Sequence, residues 1–135
     1  MMIQYRELTV DALEEAKTLY EQHGWLAYLN DDAKLERAFT NSLYLFGAYE
    51  NDRLVGFIRC VGDGEHIVMV QDLIIAATHQ RKGIGRELMR RISERFADVR
   101  MFMLLTDVLD KDANAFYHSI GMHKIEENGC VGYMR

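Results

Sequence analysis

Between Leu43 and Ile75 the chain carries three long apolar runs, residues 43–49, 53–61 and 66–75, broken only by Glu50-Asn51-Asp52 and Gly62-Asp63-Gly64. Strand-length runs joined by such short polar or glycine-containing breaks are connected as hairpins, so this stretch predicts a three-stranded antiparallel meander. The period then changes. Ile84, Leu88, Ile92 and Phe96 recur at helical spacing, and residues 101–105 form one more apolar strand. A strand, a helix and another strand in that order predict parallel pairing between the run ending at Ile75 and residues 101–105.

The flanks follow the same alternation of elements. Ile3-Gln4-Tyr5-Arg6 alternates as a short strand, and Thr9 is placed to cap a helix with Leu13, Ala16 and Tyr20 on one face, ended near Gly24. Trp25-Leu26-Ala27-Tyr28-Leu29 is an aromatic connector. Asp31 or Asp32 can cap a second helix carrying Leu35, Ala38 and Phe39. Towards the end, Asp110 or Asp112 can cap a helix with Ala113, Phe116, Tyr117 and Ile120 that stops at Gly121. Residues 122–125 and 131–134 then read as two last strands around Asn128-Gly129.

A length of 135 residues suits one domain, residues 1–135, with a core of its own, and no repeat or linker interrupts the series. No apolar run approaches the roughly 20 residues that cross a bilayer, and the first residues lack the apolar segment of a signal peptide, so the expected location is cytoplasmic, away from membranes. The two cysteines, Cys60 and Cys130, belong to no zinc pattern, so no metal is expected. Sixteen basic residues against twenty-one acidic ones give a net charge of -5, which disfavours nucleic acid as a partner. Against that acidic background Arg81, Lys82, Arg86, Arg90 and Arg91 cluster. Such a cluster suits a discrete anionic ligand, and from charge alone it suits a solvated helix face as well.

The cluster begins where an apolar strand, Leu73-Ile74-Ile75, runs through His79-Gln80-Arg81-Lys82-Gly83-Ile84-Gly85-Arg86 into a helix. The first turn of a helix presents N–H groups without intrahelical partners and the positive end of the dipole, and glycines let a phosphate approach the backbone. Taken alone, a glycine turn after a strand serves equally as an ordinary tight turn, and neither the dinucleotide nor the nucleotide-triphosphate glycine pattern is present.

This turn resembles the Q/R-x-x-G-x-G/A acetyl-CoA motif of the GNAT superfamily of N-acetyltransferases, with Gln80, Gly83 and Gly85 at the motif positions. Asn114-Ala115-Phe116-Tyr117-His118-Ser119-Ile120-Gly121-Met122 is similar to the family's second CoA segment. The resemblance implies a single-domain α/β (α+β) fold. Its central sheet is mixed and mostly antiparallel, with six to seven strands and about four helices, and one splayed strand pair forms an acetyl-CoA slot. It implies that acetyl-CoA is cosubstrate, with the amides of Arg81, Gly83, Gly85 and Arg86 on the pyrophosphate and the backbone of Leu73 and Ile75 pairing with pantetheine. The side chains of Arg81, Lys82 and Arg86 add charge, and Asn114 binds pantetheine. It also implies that a backbone amide near Leu73 polarises the thioester carbonyl. Copies would pair as a homodimer through a strand edge at residues 131–134.

Acetyl transfer to an amine needs a proton removed from nitrogen and one delivered to the leaving thiolate. Tyr117 resembles the family tyrosine that acts as the acid. The position where some members place a glutamate is Met69 here, so the base is open; Glu65, His66, Asp107 and His118 could each relay a proton, and catalysis by amine positioning alone is an equal account. Asp72 is the foremost candidate, because an acid inside the run 66–75 must be paired or functional. Trp25, Tyr28, Asp31 and Asp32 suit a pocket for a cationic amine acceptor, and suit a hydrophobic plug and helix cap equally. The alternative from another class is a non-catalytic acyl-CoA-binding sensor module.

Overall fold

The computed structural model describes the whole chain, Met1–Arg135, which divides into two compact units, Met1–Leu104 and Leu105–Arg135. The first unit contains β1 (Gln4–Glu7), α1 (Leu13–Gln22), α2 (Asp32–Thr40), β2 (Tyr44–Glu50), β3 (Arg53–Gly62), β4 (Ile67–Ile75), α3 (Ile84–Arg95) and β5 (Met101–Leu104). Short 3-10 turns at Val10–Ala12, Leu26–Tyr28 and Ala77–His79 connect them. The second unit holds α4 (Lys111–Ser119) and a 3-10 turn, Ile125–Asn128.

The sheet runs β1-β2-β3-β4-β5, antiparallel at every junction except the parallel β4–β5 pair. Its hairpins sit where the polar breaks put them. Asn51 and Asp52 take φ of 50° and 61°, the left-handed pair whose twist matches that of the flanking strands. In the second hairpin, the Asp63 carboxylate accepts from the amides of Glu65, His66 and Ile67 at 2.8–3.0 Å, and these bonds hold its pKa down at about 2.

One face of the sheet packs Leu45, Tyr49, Phe57 and Ile74 against Leu13, Ala16, Leu19 and Tyr20 of α1 and Leu35 and Phe39 of α2. Burying each such Leu, Ile or Phe contributes about 1.5–3 kcal/mol. The opposite face belongs to α3, which buries Ile84, Leu88, Met89 and Ile92, one stripe at helical spacing. Its Arg91 guanidinium lies 5.8 Å from the Phe46 ring, and Phe46 alternates with the inward Leu45.

The sheet has five strands, not the six to seven expected. Residues 122–125 and 131–134, expected as strands, form no ladder: the segment closes instead on local bonds, Glu127 N to Lys124 O, Gly129 N to Glu126 O and Cys130 N to Ile125 O. Four-residue alternations beside Gly129 and Gly132 have little side-chain surface to pay for pairing, so local turn bonds satisfy the backbone first. The edge expected for pairing of two copies is therefore not a strand in this structure.

Candidate functional site

Strand β4 outlasts its neighbour. Pairing with β5 begins at Ile67↔Met101 and stops at Val70↔Leu104, whereas pairing with β3 continues to Ile75↔Gly56. Asp72 to Ile75 therefore have a partner strand on one side only, and Gln71, skipped between Val70↔Cys60 and Asp72↔Arg59, is paired in neither ladder. The Ala76 amide donates to the Val55 carbonyl at 2.8 Å, so in an antiparallel ladder Ile74 and Asp72 also turn their backbone groups towards β3. Leu73 and Ile75, at the alternate positions, turn theirs to the open side. Gln80 agrees with this parity, because its Nε2 reaches around to donate to the Ile75 carbonyl at 3.2 Å.

Beyond this edge the chain forms the glycine turn. Arg81 holds φ of +61°, the left-handed region that a non-glycine residue occupies only under strain, and Gly83 follows at +85° as the N-cap of α3. Successive residues of this kind turn their N–H groups into one concavity suited to an anion. Side chains cap α2 and α4, through Asp31 to the Lys34 amide and Asp110 to the Ala113 amide, but none caps α3. A Cβ built at Gly83 would meet nothing within 4 Å, so the space before the helix is open.

The turn is pinned from two sides. His79 Nε2 lies 3.0 Å from Glu50 Oε1, and this hydrogen bond lowers the Glu50 pKa. Gln80 Nε2 also lies 3.1 Å from His23 Nε2, while His23 Nδ1 faces the Leu19 carbonyl at 3.1 Å. His23 thus carries its hydrogen on Nδ1 and accepts from Gln80. Of the basic cluster, Arg90 and Arg91 are engaged within α3 by Glu87, and Arg90 also by Glu94. Arg81 and Lys82 are exposed at the turn and make no ion pair. The positive charge available to a ligand is thus narrower than the sequence cluster.

Asp72 lies on the inner face, directly opposite Arg59 in the ladder. Its Oδ2 accepts from Arg59 Nε at 2.6 Å and from the Tyr20 hydroxyl at 2.8 Å, and its Oδ1 accepts from the Tyr28 hydroxyl at 2.7 Å. The Asp72 side chain is 1% exposed and that of Arg59 5%. Burial, with Asp72 adding to it, pushes the Tyr20 phenol far up; burial also raises Tyr28. Burial works against the Arg59 charge, but the facing Asp72 more than offsets it and the net direction is upward. The carboxylate offered as a base by the sequence is thus engaged inside the core by Arg59, Tyr20 and Tyr28.

Tyr28 is half-buried, and Trp25 is 37% exposed with its ring 6.1 Å from that of Tyr20. Asp31 is spent on its cap and Asp32 pairs with Lys17 at 3.1 Å. In the second unit, Asn114 Nδ2 donates to the carbonyls of Asp107 and Asp110 at 2.9 and 2.7 Å, so these bonds leave its Oδ1 unused. Burial, then Asp110, raises the pKa of Tyr117, so the phenol is protonated at neutral pH.

Comparison with known proteins matches residues 6–122 to the acetyltransferase (GNAT) family. The chain belongs to this family. A GNAT family acetyltransferase of Streptococcus pneumoniae is 34% identical with a TM-score of 0.86, covering 99% of this chain and 97% of that one. A ycf52-like N-acetyltransferase of Prochlorococcus marinus is 30% identical over 117 residues, 84% of this chain; those residues span 63% of that relative's length. The PaiA N-acetyltransferase of Thermoplasma acidophilum, solved in complex with coenzyme A, shares the fold at 17% identity and a TM-score of 0.71, covering 90% of this chain and 89% of that one.

Membership of this family supports acyl transfer in general and does not favour a non-catalytic sensor. No helix is long and apolar enough to cross a membrane. Sequence reasoning missed Arg59. Arg59 had a signal, a cation in the interior of the apolar run 53–61, which Arg53 only opens, across a hairpin from the one acid of 66–75; the bulge opposite the Arg59–Cys60 step, where β4 carries one extra residue, hides the register that joins them.

Proposed function

We propose that this GNAT protein transfers the acetyl group of acetyl-CoA to a primary amine, carried by a small molecule or a protein, by direct attack in a ternary complex. The observation that carries the reading is the one-sided stretch of β4, Asp72 to Ile75, leading into a strained glycine turn and a helix without a side-chain cap. Hydrogen-bonding groups on a protein backbone are almost always filled, so an edge and a helix start left open together suit an extended amide chain ending in phosphates.

On this reading the backbone of Leu73 and Ile75 pairs with pantetheine, and the amides of Arg81, Gly83, Gly85 and Arg86 hold the pyrophosphate. The exposed side chains of Arg81 and Lys82 add charge, as does Arg86, and Gln80 fixes the turn to the strand end. Asn114 contributes its Oδ1 to pantetheine. Trp25 and Tyr28 wall the acceptor. The family match runs from residue 6 to residue 122, which supports reading residues 1–135 as a single domain in sequence.

The chemistry needs a neutral amine, while free alkylamines hold their proton up to a pKa near 10.4. The amine nitrogen bonds to the thioester carbon as a backbone amide near Leu73 polarises its oxygen; the carbon–sulfur bond breaks, and Tyr117 protonates the thiolate and regains its proton from water. The amine's proton leaves through water, since Asp72 is committed.

The test is calorimetric titration of acetyl-CoA into wild type and Gly83→Val. A branched side chain at φ of +85° would fill the open space before α3. Affinity should fall by at least about 100-fold, about 2.7 kcal/mol. Equal affinities would overturn the assignment of the turn.

A further inference from the structure

Both hydrogens of the Gln80 side-chain amide are in use. A carbonyl can only accept, so the atom 3.2 Å from the Ile75 oxygen is Nε2, donating one of them. The same nitrogen lies 3.1 Å from Nε2 of His23, the residue that ends α1, and an amide nitrogen cannot accept. Its second hydrogen therefore goes to His23, whose Nε2 must carry none. The other ring nitrogen agrees: Nδ1 lies 3.1 Å from the Leu19 carbonyl and must hold the hydrogen. Only the neutral ring satisfies both contacts. A protonated His23 would set N–H against N–H, and turning the amide over to offer Oε1 would set that oxygen against the Ile75 carbonyl. Protonation of His23 and the bond from Gln80 to Ile75 thus exclude one another.

We propose that His23 is a positioning residue for acetyl-CoA: its neutral ring holds Gln80 against the end of β4, Gln80 holds the phosphate turn, and protonation of His23 opposes binding. The inference rests on the acetyl-CoA reading of that turn and adds its regulation. Arg81, the next residue, keeps φ of +61°, and a strained backbone persists only where its surroundings over-determine it. His79 ties the turn to Glu50, and Gln80 ties it to Ile75 and, through His23, to α1. His23 is half-buried and forms no ion pair. It is faced by the Leu19 carbonyl from α1, by the Trp25 ring at 6.2 Å and by the Gln80 amide. Its titratable neighbours in sequence are Glu21 on α1 and, beside Gln80, Arg81 and His79, the last engaged by Glu50. If losing the proton favours the site, binding expels it, and acidification must weaken binding by the same factor.

The test is calorimetric titration of acetyl-CoA into the full chain at about pH 8 and about pH 6, a span across which imidazoles take up a proton. Wild type is compared with His23→Gln, whose amide oxygen accepts but does not titrate, and with His23→Leu, which offers no acceptor. Ionisation of the cofactor's phosphates and of His79 is common to all three, so the measure is the ratio of Kd at low pH to Kd at high pH in each protein. The wild-type ratio should exceed that of His23→Gln by about threefold. At the higher pH, His23→Leu should bind about threefold to tenfold more weakly than wild type, the scale of one hydrogen bond, and His23→Gln should recover part of that loss. Equal ratios in wild type and His23→Gln would overturn the inference while leaving the acetyl-CoA site intact. So would a wild-type ratio below that of His23→Gln, the sign that the Gln80 amide obstructs the Ile75 carbonyl. Failure of wild type to bind acetyl-CoA at either pH would overturn the reading of the turn and this inference with it.

Discussion

Two sets of polar groups lie a residue apart on β4 and have opposite fates. The Asp72 side chain is buried, charged and filled by Arg59, Tyr20 and Tyr28. The backbone of Leu73 and Ile75 faces a side where β5 has ended. A charge removed from water is tolerated only when its partners are built in, so filled groups mark positions where the fold depends on itself. Backbone groups on an open edge mark positions where something else is expected to bind. The same contrast recurs at helix starts, where Asp31 and Asp110 fill theirs and α3 does not.

Breaking the filled set should cost most. Asp72→Ala strands the Arg59 cation and removes the acceptor from two phenols, and should destabilise the fold by about 3–5 kcal/mol in urea denaturation. The double variant Arg59→Met with Asp72→Leu removes both charges and should recover much of that loss. Recovery of nothing would mean that the charges matter beyond their pairing. Gly83→Val, by contrast, should lower acetyl-CoA affinity at least about 100-fold while costing less stability than Asp72→Ala.

A smaller effect should come from the strain on the open side. Arg81→Gly removes the side chain that disfavours φ of +61° and should stabilise the fold by up to about 1 kcal/mol in thermal denaturation, with a modest loss of acetyl-CoA affinity. A loss of stability would show that the Arg81 side chain supports the turn.

The smallest belongs to a filled group at the surface. Bonds to Arg90, then to Arg91, hold the Glu87 pKa down at about 2, from 4.5. A carboxylate depressed in this way stabilises the fold above its unfolded pKa, and that contribution fades as pH falls from about 4.5 through 2. Glu87→Gln should cost less than about 1 kcal/mol at pH 7, given its partial exposure, and the gap to wild type should close by pH 2. A gap of several kcal/mol at pH 7 would erase the distinction between surface and buried pairs.

Much of the scaffold was legible because its signals are short-range. The hairpin breaks, the Thr9, Asp31 and Asp110 caps, and the α3 stripe each depend on residues within a few positions of one another. The last two expected strands failed on the same logic: alternation at 122–125 and 131–134 is local, but a strand exists only if another strand meets it. The turn at Gln80–Gly85 was readable as a motif, whereas the one-sided state of Leu73 and Ile75 depends on where β5 stops.

Asp72 marks the division most sharply. An acid in an apolar run signals that a partner or a task must exist, and that follows from the cost of burying charge. Its partners, Arg59, Tyr28 and Tyr20, lie 13, 44 and 52 positions away. The amino-acid order determined the elements, the glycine turn and the family to which they belong. Only the tertiary structure decided which polar groups are filled and which are left open, because hydrogen bonds are completed by neighbours in space, and β4 acquires those neighbours from α1, the Leu26–Tyr28 turn and β3 only when the chain has folded.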